Sequence, residues 1–169
     1  MKTLYIVRHA KSSWDYPELT DHDRPLLEKG KKRTKKIIDF ILDKSIQVDY
    51  IISSSAVRAL DTAKFLARAM RYPVEDIKVD PQVYHADAEK LKDQFFDLSD
   101  KYDSVMLVGH NPTFTNFANY FLEEKIDWLP TSGIVCIDFE TEKWDQIFIA
   151  VSHTKFIITP KMLKASENA

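Results

Sequence analysis

A short apolar run, Leu4-Tyr5-Ile6-Val7, ends abruptly in Arg8-His9. A run this brief, β-branched and aromatic reads as a buried strand. A cation and an imidazole then stand at its carboxyl end, which in an open α/β sheet faces the ligand crevice. The pattern recurs along the chain. Val105-Met106-Leu107-Val108 leads into Gly109-His110-Asn111-Pro112, and Tyr50-Ile51-Ile52 leads through Ser53-Ser54-Ser55 to Arg58. Two arginines and two histidines gathered at three strand ends make a pocket for a dianion, which points to phosphoryl chemistry.

Between these runs the apolar residues switch between strand and helix periods. Thr34, Ile37, Ile38 and Ile41 share one helical face, and Ala56, Ala59, Leu60, Ala63, Ala67 and Met70 form a second helical stripe. Ile77 to Val79 predicts a short strand, Pro81 to Asp87 a loop, and Leu91 to Leu98 a helix. Asn111-Pro112 is expected to open a helix that Asn111 can cap, with Pro112 at its first position. Two last strands, Ile134 to Phe139 and Gln146 to Val151, are expected to form a hairpin around a turn at Lys143-Trp144-Asp145. This order predicts an α/β fold: a three-layer α/β/α arrangement on a mainly parallel sheet with an antiparallel edge. A length of 169 residues suits one domain spanning residues 1–169.

Several function classes are disfavoured. The net charge of -2 gives no electrostatic footprint for nucleic acid. No apolar stretch is long enough to span a membrane, and no signal-peptide pattern is visible, so a cytoplasmic protein is the default expectation. The single cysteine, Cys136, lies within a strand without a nearby arginine, which disfavours a thiolate nucleophile. P-loop and dinucleotide-binding glycine motifs are absent. His22, His85 and His153 lack metal-ligand spacing, so neither metal nor cofactor is expected.

His9 is the candidate nucleophile, because an imidazole attacks through one nitrogen when the other is held as a donor. Arg8 and Arg58 would neutralise the phosphoryl oxygens, and His110 would donate to them. If Ser55 caps the helix after the second strand, Arg58 falls at its third position. A cation there opposes the macrodipole by about 0.3–1 kcal/mol, and a bound anion would remove that mismatch.

The chain resembles the histidine phosphatase, or phosphoglycerate mutase-like, superfamily, and within it the small SixA-type phosphohistidine phosphatases. The resemblance rests on Leu4 to Ser12, Asp23-Arg24-Pro25-Leu26, Ser53 to Ala59, Thr62-Ala63 and Val108 to Pro112, in family order. It implies His9 as nucleophile, Arg8, Arg58 and His110 as the phosphate pocket, and no large helical insertion. Ala10 stands where many members carry glycine. Larger members supply a glutamate acid after the third strand, whereas the loop here reads Pro81-Gln82-Val83-Tyr84-His85-Ala86-Asp87. Either His85 or Asp87 serves as the acid, or none is needed.

Lys11, Ser12 and Trp14 follow the nucleophile closely and are either substrate contacts or ordinary loop residues. The basic run Lys29 to Lys36 is a solvated helix face or a dock for an acidic partner. His22 and His153 are expected at the surface. The functional expectation is a metal-independent phosphatase acting on phosphohistidine in a partner protein. The alternatives are a phosphomonoesterase for a small phosphorylated metabolite and a non-catalytic phosphoprotein-binding module.

Overall fold

Six strands form one sheet in a computed structural model that describes residues 1–16 and 18–167. They are β1 (Lys2–Arg8), β2 (Tyr50–Ser54), β3 (Lys78–Asp80), β4 (Ser104–Gly109), β5 (Ile134–Phe139) and β6 (Ser152–Ile158). Their spatial order is β3-β2-β4-β1-β5-β6. β1, β2, β3 and β4 run parallel, while β5 is antiparallel to both β1 and β6. The register sets Arg8 beside Gly109 and Ser53 beside Val108, so three carboxyl ends finish level with one another.

Side-chain alternation along β1 explains the layers. Leu4 and Ile6 enter one apolar cluster, and Tyr5 and Val7 enter the other. The second cluster holds α1 (Glu28–Asp43) and α2 (Val57–Ala69) through Ile37, Ile41, Ala59, Ala63, Leu66 and Ala67. The expected apolar stripes of both helices are these buried faces. A last helix, α7 (Pro160–Glu167), packs on α1. The first cluster holds α3 (Pro81–His85), α4 (Ala88–Leu91), α5 (Asp93–Phe96) and α6 (Thr113–Asn119) through Val83, Leu91, Phe95, Phe114 and Phe117. Helices thus cover both faces, as the β-α order predicts. Gly109 ends β4 where a Cβ would lie 2.3 Å from the Phe114 ring, so only glycine lets α6 sit this close.

Several local expectations are corrected. Gln146 to Val151 is not a strand; Trp144–Gln146 is a 3-10 turn, and the chain enters β6 only at Ser152. Trp144 and Ile147 are buried while Ile149 is 80% exposed, which is not the alternation of a half-buried strand. The residues that do pair with β5 are more polar, as an edge position allows. Pro81–His85 is helical, with Pro81 at its start and the Asp80 side chain accepting from the Gln82 N–H. The helix expected over Leu91 to Leu98 breaks into α4 and α5. Ser55 does not cap α2. Ala56 occupies that position, and Arg58 is the second helical residue rather than the third. Among the described residues no helix is long and apolar enough to cross a membrane.

Candidate active site

The three level strand ends open into a cleft of about 620 Å³. It is lined by Arg8, His9, Arg58 and His110, and also by Lys11, Ser12, Trp14 and the Asp21 and Arg24 side chains. The structure therefore brings together the four residues that the sequence singles out, and adds the loop that follows β1.

His9 is held at the end of β1 by its own backbone. Its N–H donates to the Gly109 carbonyl at 3.0 Å, and its carbonyl accepts from the Ser132 N–H at 3.1 Å. The ring is 7% exposed, and its Nδ1 lies 2.6 Å from the Ala10 carbonyl oxygen. A carbonyl only accepts, so Nδ1 carries the proton and Nε2 keeps its lone pair. Burial pushes the imidazole pKa down to about 3, with the charges of His110, Arg58 and Arg8 adding to the effect against the Ala10 hydrogen bond. His9 is thus a neutral, oriented base at neutral pH. The Ala10 N–H donates to Thr62 Oγ1 at 2.9 Å, and that hydroxyl donates to the Arg58 carbonyl at 2.7 Å. The nucleophile loop is thereby tied to α2.

Each cation has its own anchor. Arg8 donates through one terminal nitrogen to the Leu129 carbonyl at 3.1 Å, and the exposed Trp128 ring lies 5.5 Å from its guanidinium carbon. Arg58 is 5% exposed and grips Asp21 twice, at 2.6 Å to the carbonyl and 3.0 Å to the carboxylate. Burial and then the neighbouring Arg58 charge lower the Arg8 pKa. His110 lies 5.2 Å from His9 between ring centroids, and its Nε2 is 2.7 Å from Ser54 Oγ. Burial, followed by the Arg58 charge, lowers its pKa to about 3. Among the described residues three buried side-chain nitrogens lack a partner: Arg8 Nε, Arg58 Nε and His110 Nδ1. Buried polar atoms are ordinarily satisfied, so three orphans at one cleft mark an anion site.

Asp21 and Arg24 are the parts that sequence reasoning missed. Asp21 accepts from Arg58, from Arg24 Nε at 3.1 Å and from the Tyr84 hydroxyl at 2.6 Å. Burial raises its pKa, but the bonds from Tyr84 and Arg58 outweigh it and hold the carboxyl at about 2. Arg24 also donates to Ser12 Oγ at 2.9 Å, while its guanidinium carbon lies 3.4 Å from the ring centre of Trp14. Of the loop residues, Lys11 and Ser12 line the cleft, and Ser12 reaches it as the acceptor for Arg24.

His85 and Asp87, the two candidate acids, do not line the cleft. His85 is exposed and packs edge-on against Tyr84, whose ring meets His110 on another side. Asp87 caps α4, its carboxylate accepting from the Lys90 N–H at 2.7 Å. Position in the loop after β3 places both near the site in sequence, but that segment folds as α3 and the cap of α4, and neither side chain lines the cleft. His22, expected as a simple surface residue, pairs with Ser55 Oγ at 2.9 Å and stacks edge-on with Tyr84. His153 is exposed beside Glu140. The basic run lies on α1, where Lys29, Arg33 and Lys36 line a groove against Pro160 and Lys161 of α7. Cys136 is buried, and burial pushes its thiol pKa up to about 12. Among the described residues no three His, Cys, Asp or Glu side chains converge to hold a metal ion.

The two depressed imidazoles set an acid stability limb. Below the unfolded value of about 6.5 the unfolded chain protonates both histidines while the folded one does not, down to about 3. Stability is therefore lost as pH falls through that window, at ~1.4 kcal/mol per pH unit for each histidine. Melting curves should show Tm dropping steadily from pH 6.5 to 4.5, with a clearly shallower slope in His110→Gln. An unchanged slope in that variant would contradict the burial of a neutral ring.

Comparison with known proteins agrees with this geometry. Residues 4–102 match the histidine phosphatase superfamily (branch 1). An uncharacterised chloroplastic protein of Arabidopsis thaliana is 26% identical over 155 residues, covering 87% of this chain and 71% of the relative. The crystal structure of the candidate phosphohistidine phosphatase SixA from Agrobacterium tumefaciens superposes with a TM-score of 0.79 at 28% identity, over 94% of this chain and 98% of its own. The protein histidine phosphatase SixA complexed with tungstate matches with a TM-score of 0.78 over 95% and 99% of the two chains, at 18% identity, a likeness of fold. The family match over residues 4–102 and the superposition on SixA over nearly the whole chain lead to one conclusion: the chain belongs to the histidine phosphatase superfamily, in its SixA-type branch, and is a phosphatase.

Proposed function

We propose that this phosphatase hydrolyses phosphohistidine on a partner protein, through a covalent phosphohistidine at His9. His9 Nε2 attacks phosphorus as the substrate P–N bond breaks. With the substrate ring's other nitrogen protonated from solvent, the departing nitrogen keeps that electron pair and the ring leaves as neutral imidazole. Water then attacks the phosphorus held on His9, the second P–N bond breaks, and the electron pair returns to Nε2 as inorganic phosphate leaves. Arg8, Arg58 and His110 stabilise the phosphoryl oxygens through both steps. Four cations line the cleft, Arg8, Lys11, Arg24 and Arg58, against the two carboxylates Asp15 and Asp21. With both histidines neutral, the excess matches a phosphate dianion, so the charge chemistry asks for no metal.

The state of Asp21 carries the choice of substrate. It touches the phosphate-binding Arg58, and its bonds hold it ionised, so it cannot protonate a leaving group. An alcohol leaving group, with a basicity near that of hydroxide from water (pKa about 15.7), needs such a proton. An imidazole, whose conjugate acid has a pKa of about 6.5, does not. The remaining lining carboxylate, Asp15, is exposed at the cleft.

The test is a substrate panel of a phosphohistidine protein, p-nitrophenyl phosphate and unactivated sugar phosphates. kcat/KM should rank in that order, with sugar phosphates at least ~100-fold below phosphohistidine. Asp15→Asn should leave phosphohistidine turnover within about twofold, and chelators should change nothing. Sugar phosphates as best substrates, with Asp15 essential for them, would replace this reading with a small-molecule phosphomonoesterase.

A further inference from the structure

We propose that Ser54 is a positioning residue that locks His110 in its Nδ1–H tautomer and so presents an N–H, not a lone pair, to the phosphoryl group. The inference rests on the reading above that His110 faces the phosphoryl oxygens.

Ser54 closes β2, and its residue is fully buried. Among the described residues its Oγ has two hydrogen-bond partners, the Ala56 N–H at 3.2 Å and His110 Nε2 at 2.7 Å. The Ala56 amide can only donate, so Oγ accepts there. The one hydroxyl proton remains to be placed. Donated to His110 Nε2, it satisfies the hydroxyl and leaves Nε2 as acceptor, so the ring proton sits on Nδ1. The reverse arrangement has Nε2–H donating to Oγ. It leaves a buried hydroxyl proton with no acceptor, at a cost that buried polar groups avoid. His110 Nδ1 is itself buried and has no protein partner. As an N–H it is a donor waiting for an oxyanion; as a lone pair it would repel one.

The same bond explains why a neutral His110 suffices. Burial keeps the ring uncharged, so it contributes a hydrogen bond without competing as a proton source for the leaving group. Ser54 sits at the point where β2 passes into α2, two residues before the Ala56 cap. The residue that holds the Ala56 amide ahead of the Arg58 helix therefore also aims His110, and two halves of the pocket share one hydroxyl. The opposite histidine is set by a different device, the Ala10 carbonyl on His9 Nδ1. A carbonyl forces Nδ1–H at His9 and frees Nε2; a donated hydroxyl at His110 Nε2 frees Nδ1–H. One ring is left as a nucleophile and the other as a donor.

Long-range proton–nitrogen correlation on the histidine rings of the full chain, free of substrate at neutral pH, reads the tautomer directly. Wild type should show His110 protonated at Nδ1 and bare at Nε2. Ser54→Ala should move the ring proton toward Nε2 and lower kcat on p-nitrophenyl phosphate about tenfold or more, with KM changed less than threefold. Ser54→Thr, folded with a wild-type melting temperature, should restore both the tautomer and kcat, because it keeps the hydroxyl. An Nε2–H His110 in wild type overturns the inference whether or not any variant folds. So does a Ser54→Ala protein that keeps Nδ1–H, or one that switches tautomer with kcat unchanged. These readouts need neither a protein substrate nor a P–N bond, so they fail separately from the phosphohistidine reading, which falls only on the substrate panel.

Discussion

His9→Ala should abolish turnover, lowering kcat by ~10³-fold or more on every substrate that wild type cleaves. The size of the effect follows from how much of the chemistry passes through one nitrogen. The Ala10 carbonyl holds Nδ1, burial keeps the ring neutral, and Nε2 alone is left to form the bond to phosphorus. Without it, the arginines still bind phosphate but nothing accepts it. Wild-type protein quenched during turnover should carry label that is lost in acid and kept in base, and peptide mapping should place it on His9. The variant should carry none. The fold should survive, because the backbone bonds of residue 9 to Gly109 and Ser132 are independent of the ring. Full activity in a folded His9→Ala protein would end the covalent mechanism, and label on another residue would move it.

Much of this site is legible in the sequence because strand ends are. Leu4 to Val7 and Val105 to Val108 are apolar enough to be buried on both faces, so the polar residues just after them must fall at the sheet margin. β1 and β4 are neighbours, which turns two separate sequence signals into one pocket. Arg58 is legible for a related reason, as a buried cation on the first turn of a helix that follows a strand. Asp21 is not. It lies in a polar stretch without periodicity, and its partners Arg24, Arg58 and Tyr84 are 3, 37 and 63 residues away. No local pattern encodes such a node; the only trace was the Asp23-Arg24-Pro25-Leu26 segment of the family resemblance. The last strand fails for a different reason. Ile147 to Val151 is continuously apolar, and hydrophobicity alone does not separate a strand from a turn that feeds Trp144 and Ile147 into the Phe95 and Phe117 cluster. His85 and Asp87 show the limit of placing an acid by loop position, since the first ends α3 and the second caps α4 and neither lines the cleft.

Arg58→Ala should separate stability from function. In the phosphate-free protein Arg58 is a buried cation, close enough to Arg8 to depress the pKa of that residue, and Asp21 is its hydrogen-bonded counter-charge. Buried like charges are unfavourable, and they are held here for the dianion that relieves them. Removing Arg58 deletes that repulsion along with its bonds to Asp21, which keeps Arg24 and Tyr84 as donors. The expected melting temperature of the variant without ligand is within a few degrees of wild type. Catalysis should not be spared: loss of one preorganised donor costs ~10²–10³ in kcat/KM. Arg58→Lys should recover little of it, because a point charge cannot grip Asp21 by two nitrogens and still offer Nε to phosphate. Tungstate supplies the complementary measurement. A ligand at 100 times its Kd stabilises by ~2.7 kcal/mol, a rise in Tm of roughly 5–10 °C for a chain of this size. Wild type should show that rise, and Arg58→Ala should lose most of it. An Arg58→Ala protein that still gains the full tungstate shift would mean that the anion binds elsewhere than between Arg8, Arg58 and His110.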